Sequence, residues 1–319
     1  PRNSYGNTGA QFYVAKNPEY GAVFTYHLKD MPKTSKSKRI QSERKLNSDK
    51  KDVPFPGYDA ISKEMNEKPA SIILTIKDSE GNHIRNVKKN ASNGSGRIAW
   101  NLRHKSYFPV RAGRSQSNFW FNPSGPYVTP GEYHAEFYLE DNGSVEKLDG
   151  PISFNVKPLR KGTLEGASYD DYNSFRTRVS NLYIEMSKYQ DEFNMMKTKI
   201  ELLGKASLQL ENFSPEIIKK ISDFKTKYNA FDSETDGNPA KAEIGEWDKP
   251  SISMRTQIAM QGLSTSYGPT DLNKSNLDIA EKLFDKLALD VKMFKSELES
   301  LENEVKELNP PHLSGSGIN

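Results

Sequence analysis

The 319-residue sequence predicts an α+β protein of two domains: a β-sandwich over residues 1–160, an antiparallel helical bundle over 161–311 and a short tail over 312–319. Three observations carry this reading. Apolar residues alternate in short runs before Val156 and recur every three or four residues after Tyr172, so the hydrophobic period changes between the halves. The length exceeds the roughly 250–300 residues that one core serves. Between Gly94 and Tyr133, a strand centred on Trp100 precedes a long loop and a Pro130-Gly131 turn that launches another strand. A buried aromatic between strands punctuated by Gly and Pro is how an immunoglobulin-like sandwich is built. Such a sandwich is usually a binding or spacer module, and no catalytic constellation accompanies it here.

The front half reads in strands. Gln11–Val14 and Ala22–Leu28 are runs of aromatic and β-branched residues. A basic excursion follows over 29–51, with nine Lys/Arg and three Asp/Glu. It has two readings: an arm for nucleic acid or an acidic polymer, or a solvated polar excursion between strands. No aromatic side chain interleaves these charges to stack on bases, so the solvated excursion is expected and no nucleic-acid partner. Pro54–Lys68 reads as irregular or partly helical. Ser71–Lys77 is the clearest strand, Asp78–Asn82 its turn and His83–Val87 the returning strand. Arg97–Leu102 comes next. Gly131–Glu140 places Tyr133, Ala135, Phe137 and Leu139 on one face; Asp141-Asn142-Gly143 turns the chain, and Gly150–Val156 closes the sheet. Burial by alternation is expected to govern everything before Gly150.

The second half reads in heptads. Tyr172, Phe175, Val179, Leu182, Met186, Tyr189, Phe193, Met196, Ile200 and Leu203 follow a 3,4 spacing. Ala280, Phe284, Leu287, Val291, Phe294, Leu298, Leu301, Val305 and Leu308 keep the same rhythm. That period holds one apolar seam on one side of each helix. Between them, Ser214-Pro215 is an N-cap with an N1 proline, opening a helix that uses Ile217, Ile221, Phe224, Tyr228 and Phe231. A weaker helix covers Ile252–Leu263, and Thr270 or Asp271 caps the last one. The pattern suggests a helical hairpin with extra helices, most simply a four-helix antiparallel bundle. A dimerising coiled coil is the other use of such a seam. Aromatics at Phe175, Tyr189, Phe193, Phe284 and Phe294 are bulky for two strands and favour the intramolecular bundle.

Charge divides the same way. Residues 1–160 hold 25 Lys/Arg against 16 Asp/Glu, and residues 161–319 hold 20 against 26. Cysteine is absent, which removes disulfides and thiolate metal sites. No run approaches the roughly 20 apolar residues of a membrane helix. The opening Pro1-Arg2-Asn3-Ser4 is not a signal peptide, so the chain reads as a mature or truncated product.

Candidate sites are few. The histidines are 27, 83, 104, 134 and 312, and no pair has metal-ligand spacing. No Gly-x-Ser-x-Gly elbow occurs, and no carboxylate pair is marked for glycoside hydrolysis; the chain is expected not to be an enzyme. Asp232, Glu234, Asp236, Asn238 and Glu243 match the ligand spacing of a calcium loop, with Gly237 at its sixth position. Glu at the third position and Pro239 at the eighth depart from it, and a plain acidic loop between helices is the competing account. Phe119, Trp120 and Phe121 form a loop triplet that either stacks on a ligand, with Tyr127 beside it, or plugs a seam of the fold.

Several motifs together resemble a known family. Asn17-Pro18-Glu19-Tyr20-Gly21-Ala22 is similar to its NPP-GA opening. Ile76–Arg85 looks like its I-x-D-x-x-G-x-x-V-R hairpin. Gly96–Arg103 resembles G-x-x-R-x-x-W-D-L-R, with Asn101 in place of Asp; Pro130–Tyr133 resembles PG-x-Y, and Pro269-Thr270 a PT before the last helix. The family is the secreted bacterial proteins described as sortilin-like or BNR-repeat glycosyl-hydrolase-like, in which a β-propeller precedes an immunoglobulin-like segment akin to that of the flagellar hook-capping protein, and a helical tail. The resemblance covers about residues 10–310. It implies a post-propeller region of an exported protein, in the periplasm, outer-membrane associated or at the cell surface. It also implies a non-catalytic interaction or scaffold role toward a protein partner or the chain's own upstream propeller. An accessory carbohydrate-binding module is the alternative. No Ser-x-Asp-x-Gly-x-x-Trp propeller repeat occurs here, so glycosidase activity does not carry over.

Overall fold

The structure is a computed structural model that describes residues 17–110, 124–160, 162–163, 165–265 and 267–311. The chain is mixed α+β, with two antiparallel sheets and, among the described residues, six strands and seven helices. It divides into two units. One holds the described residues up to Lys105 together with 130–157; the other holds the described residues of 106–129 and those from Pro158 onward.

In the strand unit, β1 (Ala22–Leu28) pairs antiparallel with β4 (Gly94–Trp100), Ala22 opposite Trp100 and Leu28 opposite Gly94. The larger sheet has the order β3 (His83–Asn90), β2 (Ser71–Asp78), β5 (Gly131–Asp141), β6 (Ser144–Val156). Alternation works as expected on β2: Ile72, Leu74 and Ile76 are fully buried and lie opposite Leu139, Phe137 and Ala135 of β5. The two sheets face each other through aromatic rings. Phe24 meets Phe137 edge-on at 5.8 Å and Phe154 at 5.3 Å; Trp100 lies 5.5 Å from Tyr133 and 6.0 Å from Phe154. The buried Trp100 indole donates its Nε1–H to the Arg103 carbonyl at 2.9 Å, which satisfies its one polar atom.

Element ends moved from their expected places. β4 starts at Gly94 and β6 at Ser144, directly after a turn in which Asn142 and Gly143 both adopt positive φ. That two-residue hairpin fixes register, so pairing extends to the turn. The expected strand Gln11–Val14 lies outside the described residues.

The larger correction concerns helices before Gly150. The basic excursion folds as a helix, Ser35–Ser48 (α1), and the stretch Pro54–Lys68, read as irregular or partly helical, contains the helix Tyr58–Asn66 (α2). Neither buries a residue; α1 left no periodic apolar signal, while Tyr58, Ile61 and Met65 of α2 recur at helical spacing. Helix-forming Lys, Arg, Gln, Glu and Leu, with the Thr34 hydroxyl accepting from the Ser37 N–H at 3.1 Å, are sufficient locally.

The helical unit contains α3 (Tyr169–Ala206), α4 (Pro215–Asp236), α5 (Pro239–Glu243), α6 (Ile252–Gln261) and α7 (Asp271–Lys306). The heptad residues form its core; Phe175, Val179, Leu182, Phe193, Ile200 and Leu203 are buried with Ala280, Leu287, Val291, Phe294, Leu298 and Val305. Ser168, Ser214 and Thr270 cap three of the helices through their side chains, Thr270 in a capping box with Asn273.

Helix directions differ from a hairpin of two long helices. Arg178 pairs with Glu281, Glu192 with Lys295 and Lys199 with Glu302, always 103 residues apart. A constant separation means that α3 and α7 run parallel. The return path is shared. Lys220–Glu304 and Lys227–Glu297 set α4 antiparallel to the second half of α7. Asn273 Nδ2 donating to the Ile258 carbonyl, and Arg255 to Asn276, set α6 antiparallel to its first half. The expected four-helix bundle is therefore an up-down-up arrangement whose descending limb is α4 followed by α6.

Candidate interaction surfaces

Within the strand unit, α1 and α2 form an antiparallel pair held by polar groups. Glu67, just after α2, accepts from the Ser35 N–H at 2.6 Å and the Ser35 hydroxyl at 3.0 Å. The Arg39 guanidinium donates twice to Glu64 at 2.8 Å and once to Glu43 at 2.6 Å. Glu64, and then Glu43, raise the Arg39 pKa, while Arg39 holds the Glu64 carboxyl below its ordinary range. Among the nine cations of 29–51, Arg39 alone is tied into this clamp, and Lys36, Lys38, Arg44, Lys45, Lys50 and Lys51 are exposed. After the run in sequence come apolar groups that the pair does not bury. Tyr58 is 83% exposed, Phe55 and Met65 are also exposed, and the Phe55 and Tyr58 rings meet edge-on at 5.1 Å. The aromatics absent from the run itself lie just after it in sequence.

Within the helical unit, the segment after α5 presents a second surface. Its backbone is pinned: Glu246 N–H donates to the Lys241 carbonyl at 2.9 Å, Gly245 N–H to Ala242, and the Asp248 carboxylate accepts from the Lys249 N–H and the Lys241 ammonium. Lys241 keeps the Asp248 pKa low. From this fixed turn Trp247 projects, 81% exposed, with the exposed Ile244 nearby in sequence. An indole held out on an ordered backbone loses little entropy on docking. Sequence reading missed Trp247. Its one signal was a large aromatic that fits no heptad seam.

The sites expected from sequence fare differently. Phe119, Trp120 and Phe121 lie outside the described residues. Tyr127 is 42% exposed. In the same stretch Tyr107 and Phe108 pack their rings on Tyr183, at 5.3 and 5.0 Å. The calcium string is corrected. Asp232, Glu234 and Asp236 belong to the last turns of α4 rather than to a loop, because the helix runs on to a Gly237 terminus at φ 96°. At 100° per residue, Asp232 and Glu234 point to opposite sides. Asn238 spends its Oδ1 capping α5, and Asp236 accepts from the Ser253 hydroxyl at 2.5 Å. Among the described residues no three acidic or histidine groups are placed to hold a metal ion. Burial, with Asp236 nearby, raises the Asp232 pKa.

Two histidines serve strand pairs: His27 Nδ1 lies 3.3 Å from Ser95 Oγ, and His134 Nδ1 3.0 Å from Ser153 Oγ, each across its own ladder, while His83 meets Asn86 on its own strand and His312 lies outside the described residues. Among the described residues no helix is long and apolar enough to cross a membrane. No family model, curated protein or solved structure matches the chain.

Proposed function

We propose that this chain is a non-catalytic protein-interaction and scaffold module. Its strand unit is read as an immunoglobulin-like, hook-capping-like sandwich, and the whole as a post-propeller region of an exported sortilin-like protein. The motifs at Asn17–Leu28, Ile76–Arg85, Gly96–Arg103 and Pro130–Tyr133 motivate that placement. The single observation that carries the interaction role is Trp247, exposed on a pinned backbone while the heptad aromatics of the same unit are buried. Exposed aromatics of this kind are the side chains that anchor protein interfaces. Phe55 and Tyr58, exposed and in contact with each other, are a second aromatic pair of the kind that anchors interfaces.

A carbohydrate-binding reading is supported by the same indole, since a flat exposed ring also stacks on a sugar. Affinity gels of representative polysaccharides, run with the full chain and Trp247→Ala, separate the two. The interaction reading expects no retention on glycans, and binding of the parent protein's propeller segment in calorimetry that falls about tenfold or more in Trp247→Ala. Glycan retention lost in the variant would replace it with the carbohydrate reading. Propeller binding equal in both proteins, or no propeller binding at all, overturns the interaction reading.

A further inference from the structure

Two arginines of the chain show how it takes up a guanidinium, and Arg85 departs from both. Arg39 sets its Nε and Nη2 donors against the two oxygens of Glu64, each at 2.8 Å. Arg178 does the same with Glu281, through Nε at 3.2 Å and Nη2 at 2.5 Å. That side-on edge of the guanidinium matches an anion with two oxygens. On Arg85 the same edge donates to no protein group among the described residues. Only Nη1 donates, at 3.4 Å to Asn101 Oδ1 and at 3.4 Å to the His104 carbonyl. Both acceptors are neutral, and both lie at the long limit of a hydrogen bond. Nor is Arg85 an ordinary solvated surface cation. It stands on the edge strand β3 opposite Ile76 of β2, and antiparallel partners share a face. Ile76 is fully buried, so the Arg85 side chain starts from the core-facing side, and it is half-buried. Burial, and then the nearby Arg103 guanidinium, lower its pKa, whereas carboxylates raise those of Arg39 and Arg178. A cation drawn partly out of water beside a second cation gains more from an anion than a fully exposed lysine does.

We propose that Arg85 anchors a binding site for a small oxyanion, two of whose oxygens accept from its Nε and Nη2 groups. Asn101 and the His104 carbonyl hold the guanidinium plane through Nη1. Arg103 adds positive potential to the site. A carboxylate and a phosphate present the same pair of oxygens, so both belong to the class that this edge recognises. Arg85, Asn101, Arg103 and His104 all belong to the strand unit. The site therefore stands or falls independently of the role given to Trp247.

Nuclear magnetic resonance of the full chain tests it through the arginine Nε–H signals, with circular dichroism as a check that each variant is folded. Through-bond correlation to the backbone assigns the Arg85 signal. Adding inorganic phosphate or acetate at constant ionic strength is expected to move that signal along a saturating curve, half-complete at or below about 10 mM. Chloride is expected not to move it, and the exposed Arg44 serves as the reference for non-specific effects. The ion that saturates at lower concentration identifies the ligand as phosphate type or carboxylate type. Asn101→Asp keeps Arg85 in place and sets a fixed carboxylate at Nη1, which is expected to weaken both ions by about tenfold or more. Asn101→Ser changes the same position without adding charge and is expected to keep the binding. An Arg85 signal that responds to phosphate and acetate no more than to chloride, an equal response at Arg44, or undiminished binding in Asn101→Asp overturns the proposal.

Discussion

Phe193→Ala tests the helical core at its most enclosed aromatic. Phe193 is fully buried and stacks on two rings, Tyr189 at 5.3 Å and 15° and Tyr228 at 4.0 Å and 11°. Truncating a buried Phe removes its transfer energy and leaves a cavity, together about 3–5 kcal/mol. Each stacked pair adds about 0.5–1.5 kcal/mol. The flanking tyrosines cannot collapse inward freely: Tyr189 also abuts Phe284 edge-on at 5.7 Å. The loss is therefore expected near the upper end, about 4–5 kcal/mol, a large part of the roughly 5–15 kcal/mol that holds a native protein. Urea unfolding followed by far-ultraviolet circular dichroism reads it as a lower midpoint at unchanged slope. Trp247→Ala, measured alongside, is expected to stay within about 0.5 kcal/mol of the parent. A Phe193→Ala loss below about 1 kcal/mol would refute the packing described for α3 and α4.

Two further outcomes follow from the strand unit. Gly21 sits at φ 115° with its Cβ position 1.9 Å from the Trp100 carbonyl oxygen. Gly21→Ala adds both left-handed strain and a clash with backbone, and a loss above about 2 kcal/mol is expected in urea unfolding; an unchanged midpoint would mean that β1 does not meet β4 there. Glu136 accepts from Lys77 at 2.8 Å and Lys147 at 3.0 Å, and these two, Lys77 first, lower its pKa from 4.5 to about 2. Its folded value is depressed, so its contribution is present above about pH 4.5 and is lost as pH falls toward 2. Glu136→Gln should flatten the acid limb of stability across that window, and a limb unchanged from the parent sinks the assignment.

Local signals were enough wherever burial is periodic. The strands at Ala22–Leu28 and Ser71–Asp78 and the long helices α3 and α7 were legible, because each must turn one repeating set of apolar side chains inward. The helix α1 was not legible, since it buries nothing and is held to α2 by Arg39, Glu64 and Glu67 across 25 to 32 residues, whereas α2 falls within Pro54–Lys68, the stretch read as irregular or partly helical. The calcium string failed for a related reason. Ligand spacing is read along the chain, yet α4 does not end until Asp236, and its turn scatters the carboxylates.

What sequence alone determined is the switch from alternation to heptads and the residues that line each core. Those depend on neighbours two to four positions apart. Tertiary structure alone decided that α3 and α7 run parallel with α4 and α6 completing the return, and which apolar residues were left outside. A heptad seam says which face of a helix is buried but not which way its neighbour points. Trp247 fits no seam, and only the folded structure shows it left exposed on a pinned backbone.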